Sequence, residues 1–414
     1  MTERWHRQLR KLRDLAPDRD LWERIEIGPR PMPATAWPQL LSRWTVALVA
    51  LAIAGAGVAL VARTFQGGGT PGAGSTQLPT NGRIAFTSER DRSTGYFEVY
   101  VINPDGSGMT NLSNTGPGIG DIAWAWSPNG GELASVVDMG DEQLGYDIHV
   151  MNADGTGRRD LTDRAGDESS PAWSPDGTRI AYVEDYPDGA SDIWVMNPDG
   201  SMQVRLTDGV GAPKSPVWSP DSSRIAFTRD TQRDGSSIYV VGSDGRGETR
   251  LTDGQGFDAQ PAWSPHGTKI AFLSTRDGEE ELYVMNADGT DQTRLTNVAT
   301  DQPDCCFGQP TWSPDGAKLA FAVLEGGNWD VYVVNGDGSG LRDITNEPGD
   351  EISPTWSPDG TAIAFAGSPL PAKEGENAGT FDIYVISPDG AGKSRLTTHA
   401  QALGGRLTWQ PLTG

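Results

Sequence analysis

The sequence predicts an all-β fold, a seven-bladed β-propeller of four-stranded antiparallel blades, preceded by one transmembrane helix. Three observations predict it. A four-strand unit recurs every 44–49 residues, turn residues punctuate that unit evenly, and 19 consecutive residues near the N-terminus carry no charge.

The uncharged stretch comes first in the chain. Trp44 to Ala62 reads WTVALVALAIAGAGVALVA, long enough to cross a hydrocarbon core as a helix. The 43 residues before it far exceed the n-region of a cleaved signal peptide. Nine Lys/Arg precede the span, whereas after Arg63 the next basic residue is Arg83. The positive-inside rule therefore puts the N-terminus in the cytosol and the body outside, as a single-pass protein of the cell membrane. The expected organisation is a cytosolic tail (1–43), a transmembrane helix (44–62), a Gly/Pro/Ser/Thr-rich flexible linker (63–80) and the propeller (81–414). In the tail, Trp5, Leu9, Leu12 and Ala16 fall at helical spacing before Pro17. Leu21, Trp22 and Ile25 begin a second apolar set, which fits a surface-lying helix or a docking site for a cytosolic partner.

Charge and cysteine content exclude several classes. The 414 residues carry a net charge of −23, and from residue 64 onward it is −27. A body that acidic repels phosphate backbones, which argues against nucleic-acid binding. Cys305 and Cys306 are the only cysteines and are neighbours, so there is neither a disulfide framework nor a Cys/His zinc spacing. They lie in the long loop ATDQPDCCFGQP, where a reduced pair and a strained vicinal disulfide are the two readings.

The repeat begins with WSPDG-like pentads at Trp126, Trp173, Trp218, Trp263, Trp312 and Trp356. An apolar run follows, as in Ile225-Ala-Phe227 or Leu319-Ala-Phe321, then an aliphatic–aromatic run such as DIWVMN from Asp192. A second turn and a short RLT strand complete each unit. Alternating β-branched and aromatic residues favour the pleated state. In Ser174-Pro175-Asp176-Gly177, Pro sets φ at the second position and Gly supplies a positive φ at the fourth, giving a type I turn with a left-handed residue after it. Seven aromatic positions mark the third strands: Tyr100, His149, Trp194, Tyr239, Tyr283, Tyr332 and Tyr384. They give seven blades, with six or eight as alternatives. The first unit, at Asn81-Gly82, has no Trp pentad before it, and Leu407-Thr408-Trp409 has no unit after it. The C-terminal strand is thus expected to complete the first blade and remove the open edge.

These units resemble the repeats of TolB-like β-propellers: WSPDG, IAF, DIYVMN-x-DG and RLT recur through residues 81–414. The resemblance specifies the fold strongly and the function weakly, because propellers serve as platforms for different tasks. It implies a non-enzymatic binding module, although similar repeats also cap prolyl-oligopeptidase-type peptidases. TolB itself has a cleaved signal, an α/β domain before the propeller and six blades. This chain departs from all three, so a Tol–Pal envelope role is not implied.

No catalytic constellation is visible: there is no G-x-S-x-G elbow, and His6, His149, His266 and His399 fall in tail, strand, turn and loop. Asn152-Ala-Asp154-Gly-Thr156-Gly157 and Asn335-Gly-Asp337-Gly-Ser339-Gly340 alternate oxygens like a calcium loop but lack the bidentate Glu, and they read as hairpin turns. No metal or cofactor is expected. Third strands open with an acid at Glu98, Asp147, Asp192, Glu281, Asp330 and Asp382. Symmetric pairing across the following turn would set Asp192, Glu281 and Asp382 opposite Arg205, Arg294 and Arg395. It would also double the acids at Asp147/Asp160 and Asp330/Asp343, two candidate cation sites. A second set of acids precedes the first strands, at Asp121, Asp167, Glu168, Asp258, Asp350 and Glu351. If those loops converge on one mouth of the channel, they form the candidate ligand site. The expected function is an extracytoplasmic binding or scaffold module recognising a protein, a peptide or a glycan. A hydrolase or lyase using the mouth acids is the alternative, and so is a sensor signalling through the tail.

Overall fold

The computed structural model describes residues 80–412 apart from 91–95, 116–118, 139–144, 163–165, 232–234, 255, 299–306, 369–380, 399–401 and 403–405. The tail, the candidate span Trp44–Ala62, the linker up to Pro79 and the Cys305-Cys306 pair lie outside the described residues. No helix among the described residues is long and apolar enough to cross a membrane.

The strands form seven four-stranded antiparallel sheets. Blades 2 to 7 occupy residues 120–160, 167–205, 212–250, 258–294, 311–343 and 351–395, each built from consecutive strands. Blade 1 joins the ends of the propeller: Thr408–Leu412 pairs with Thr80–Ser88, setting Ile84 opposite Trp409 and Thr80 opposite Leu412. The C-terminal strand is the first strand of blade 1, as expected. First strands of successive blades touch one another around a closed circuit that runs from blade 1 through blade 7 and back.

One blade has no core of its own. The buried apolar residues fall into seven clusters, each spanning the seam between two blades. Between blades 2 and 3, Ile148, Val150 and Leu161 meet Trp173, Ile180 and Tyr182. The pentad tryptophans also stitch the seams by hydrogen bonds. The Trp218 indole donates to Ala172 O at 2.9 Å, Trp312 to Ala262 O at 3.0 Å and Trp409 to Thr355 O at 3.1 Å. Each of these acceptors is the residue just before the preceding blade's own Trp. Trp126 and Trp356 bond in the same way to Thr408 O and Thr311 O, whereas the buried Trp173 and Trp263 indoles find no acceptor among the described residues.

The turns follow their chemistry. Gly177 N–H donates to Ser174 O at 2.8 Å with φ of 73°, and Asp176 Oδ1 accepts from Thr178 N–H at 3.0 Å. The calcium-like segments are the same device: Asp154 Oδ1 accepts from Thr156 N–H at 3.0 Å, and Asp337 Oδ1 from Ser339 N–H at 2.9 Å.

The fourth strand corrects one expectation. Trp194 faces Arg205, Tyr283 faces Arg294 and Tyr332 faces Asp343, two positions along from symmetric pairing. The cause is a second left-handed residue after the turn, at Gly108, Gly157, Met202, Gly247, Asp291, Gly340 and Gly392, with φ between 52° and 68°. A shift of two preserves the face, so the third-strand acid still meets the Arg diagonally. The doubled acids are not opposed directly: Asp160 pairs with His149 and Asp343 with Tyr332.

Candidate functional site

First and third strands begin at the same end of the ring, and the two sets of acids lie there. Their positions follow from a bulge. Ser170, Ser215, Gln260 and Ser353 each precede a proline in a first strand and have φ of 55–56°. Proline cannot donate to the ladder, so the register slips and the strand bends. In blade 5 the freed Gln260 N–H donates to Thr228 Oγ1 of blade 4 at 3.1 Å.

Among the first-strand acids, Asp121, Glu168, Asp258 and Glu351 are 0–1 % exposed. They occupy four separate seams. Asp121 takes Arg158 Nη1 at 2.8 Å, and burial, only partly offset by that guanidinium, raises its pKa. Asp258 accepts from the Ser274 hydroxyl at 2.5 Å and from Arg276 Nη2 at 3.0 Å. Glu168 lies opposite Glu184 and near Asp147 of blade 2; burial, with those carboxylates adding to it, pushes its pKa up to about 8. Glu351 sits 3.6 Å from Lys393 and beside Asp330 of blade 6, and burial pushes it up to about 8 as well. Asp167 and Asp350 are half-buried. Asp167 Oδ1 accepts from Tyr146 N–H at 3.2 Å and Asp350 Oδ1 from Trp329 N–H at 3.1 Å, each capping the third strand of the preceding blade.

The third-strand acids share one arrangement. Thr207 Oγ1 donates to Asp192 at 2.7 Å while accepting the Ile193 N–H at 3.0 Å, and Arg205 pairs with Asp192 at 2.6 Å. Thr296 and Arg294 do the same for Glu281, and Thr397 and Arg395 for Asp382. In blade 4, where Ser237 replaces the acid, Arg250 donates to its hydroxyl at 2.8 Å. In blade 2, Arg158 pairs with the first-strand Asp121 and donates to His149 Nδ1 at 3.1 Å; burial and this neighbour lower the His149 pKa to about 4.

A layer that the sequence reading missed lies over these acids. A second-strand Phe stacks on the third-strand Tyr in five blades, and a cation caps the pair in four of them. Arg90 lies over Tyr100, Arg229 over Tyr239, Arg276 over Tyr283 and Lys393 over Tyr384, at 4.8–5.6 Å. The cations come from three different positions of the repeat, Arg229 within its second strand and the others beyond strand ends, so no single repeat position announces them. Blade 6 has the aromatic pair, Phe321 and Tyr332, and an open cavity of about 420 Å³ beside it. Glu325, Asn328, Asp330, Asp343, Asn346 and Glu347 are among its lining residues. Among the described residues, no group of three or more His, Cys, Asp or Glu is arranged to hold a metal ion.

Comparison with known proteins agrees with this architecture. The family model described as the TolB beta propeller domain matches residues 136–305 and 298–410, more than half the chain. The search of curated proteins returned no match. Solved structures with the same fold include TolB from Acinetobacter baumannii, 21% identical, covering 76% of this chain and 80% of that one at a TM-score of 0.50. Oligogalacturonate lyase from Vibrio parahaemolyticus is 12% identical over 78% of this chain and 86% of its own, at 0.52. A puromycin-hydrolyzing peptidase of Mycobacterium tuberculosis is 17% identical over 78% of this chain and 53% of its own, at 0.56. At such identities the likeness to these structures is one of fold. With seven blades, six of them opened by a WSPDG-type pentad and the ring closed by Thr408–Leu412, and with the family model matched from within blade 2 through blade 7, this chain belongs to the TolB β-propeller family.

Proposed function

We propose that this chain is a non-catalytic binding propeller, tethered to the cell membrane through residues 44–62, that captures a protein or peptide on its acid-bearing face outside the cytosol. One observation carries the reading. The mouth acids proposed for an acid–base mechanism, Asp121, Glu168, Asp258 and Glu351, are spent in the seams at 0–1 % exposure, while an open carboxylate-lined cleft lies on blade 6 among the described residues. The net charge of −27 beyond residue 63 would steer a basic partner toward this surface. A lyase or peptidase reading draws only on fold-level likeness to such enzymes, and it would require those buried acids to reach substrate.

The test uses the full chain in detergent as bait. A specific protein should be retained and released as salt rises from about 0.05 M to about 0.5 M, as a screened electrostatic contact requires. Turnover of an oligogalacturonate or peptide substrate, lost in Glu168→Gln, would overturn the reading. Resistance of the chain to alkaline carbonate extraction, with the propeller digested by protease added outside intact cells, tests the anchor and its direction.

A further inference from the structure

Blade 6 is built like its sisters and then reversed in charge at two places. Counting from the second-strand Phe, Glu325 stands where blades 1 and 5 carry Arg90 and Arg276. Asp343 stands where blades 3, 4, 5 and 7 carry Arg205, Arg250, Arg294 and Arg395. The acid those arginines serve is retained as Asp330, held by the Thr345 hydroxyl at 3.2 Å and by Asn328 Nδ2 at 2.8 Å. In blade 5 a guanidinium from Arg294 fills the space beside Glu281, and a second, from Arg276, caps Tyr283. In blade 6 the same region is a cavity whose lining holds four carboxylates and no cation.

The surrounding groups already strain against this charge. Burial raises the pKa values of both Asp330 and Asp343, and neighbouring carboxylates, Glu325 among them, add to the rise at Asp343. Behind Asp330, Glu351 is 1 % exposed and its Oε2 has no hydrogen-bond partner. Glu347 at the rim takes Lys393 Nζ at 2.8 Å, but that lysine is seated over Phe365 and Tyr384 in blade 7. Blade 2, the other blade with doubled acids, has Arg158 and His149 in place.

We propose that the blade 6 cavity binds the guanidinium group of an arginine side chain on a protein partner, which takes the place that a blade's own arginine fills in blades 3, 4, 5 and 7. Tyr332, backed by the buried Phe321, offers the aromatic wall and Asp330 with Asp343 the paired carboxylates that a planar, forked cation matches. The cavity far exceeds what a bare ion needs, and the carboxylates are not arranged for a metal. The inference rests on the binding reading above, but a small probe tests it without any partner.

N-acetyl-arginine amide titrated into the purified full chain should bind with a Kd of about 1 mM, the lysine analogue several-fold more weakly and the norleucine analogue not at all. Asp343→Arg installs the residue that four sister blades already accommodate, so the variant should fold, melt higher than the parent and bind the probe at least about tenfold more weakly. Asp343→Asn, which leaves the cavity empty, should weaken binding without that rise in melting temperature. Absence of heat with the parent, or equal affinity in Asp343→Arg, overturns the proposal. So does stabilisation of the parent by calcium chloride alone that Asp343→Arg abolishes, since that marks a metal site. Retention of a protein partner by Asp343→Arg would remove this cavity from recognition while leaving the binding module intact.

Discussion

Glu168 shows what a single side chain contributes to this ring. Its carboxyl is completely buried beside two others, and its pKa stands near 8 against an ordinary 4.5. A carboxyl whose pKa is higher in the fold than in the unfolded chain binds its proton more tightly in the native state. Stability therefore falls as pH rises from about 4.5 toward 8 and stays at the lower level above that. Replacing Glu168 with Gln keeps the shape and removes the titration. The gap between urea midpoints at about pH 5 and about pH 9 should narrow in Glu168→Gln, with a gain at the higher pH of about 1 kcal/mol over the parent. A variant that keeps the parent's full slope would remove Glu168 as its source. Glu351 is raised for the same reason, and Lys393 at 3.6 Å moderates it. At this scale the sequence was partly legible. The acids were visible as a recurring position, and the seam that buries each one was not, because it is built from two blades at once.

The blade is the element on which the rest depends, and its tryptophan is its most costly part to lose. Trp409 is 6 % exposed, packs with Ile84 and Phe86, and donates to Thr355 of blade 7. Trp409→Ala leaves a large cavity and an unpaired carbonyl, and should lower stability by about 3–5 kcal/mol in denaturant unfolding. Met202→Ala, at a side chain 73 % exposed, should shift it by less than about 0.5 kcal/mol. Comparable losses for the two would contradict the seam packing. Turn type could be read from the pentads, because Pro and Gly act locally, and the blade count from the seven third-strand aromatic positions. The fourth-strand register could not be read from the first turn alone. The second glycine of PDGSG, ADGTG and GDGSG was the signal, since a second left-handed residue carries the chain two positions further before pairing resumes. The bulge before each first-strand proline was likewise encoded, in Ser-Pro and Gln-Pro pairs whose effect appears only once a ladder must skip a missing donor.

Across the whole molecule, seven seams stand in for a single core, so closure matters more than any one contact. A chain ending at residue 406 would bare the inner edge of Thr80–Ser88 and uncover the apolar cluster shared by blades 7 and 1. Light scattering should then find dimers or larger species where the full chain is uniform, as expected of an unprotected edge. A monodisperse truncated chain of unchanged stability would show that the last strand is dispensable. The candidate site was the least legible feature at this scale. The doubled acid at Asp330 and Asp343 was visible in the sequence. The cavity beside it emerges only when blade 6 is compared with its sisters, position by position in three dimensions.

The clasp between Thr80 and Leu412 also orders events in time. During synthesis, residues 80–88 emerge early and must wait for more than 300 further residues before their partner strand exists. Six sheets can stack while that first edge stands open, so the nascent chain carries a sticky margin until its last stretch is made. Proteins that shield such margins are expected to attend its biogenesis, and a slow final docking step should be the one that sets its yield.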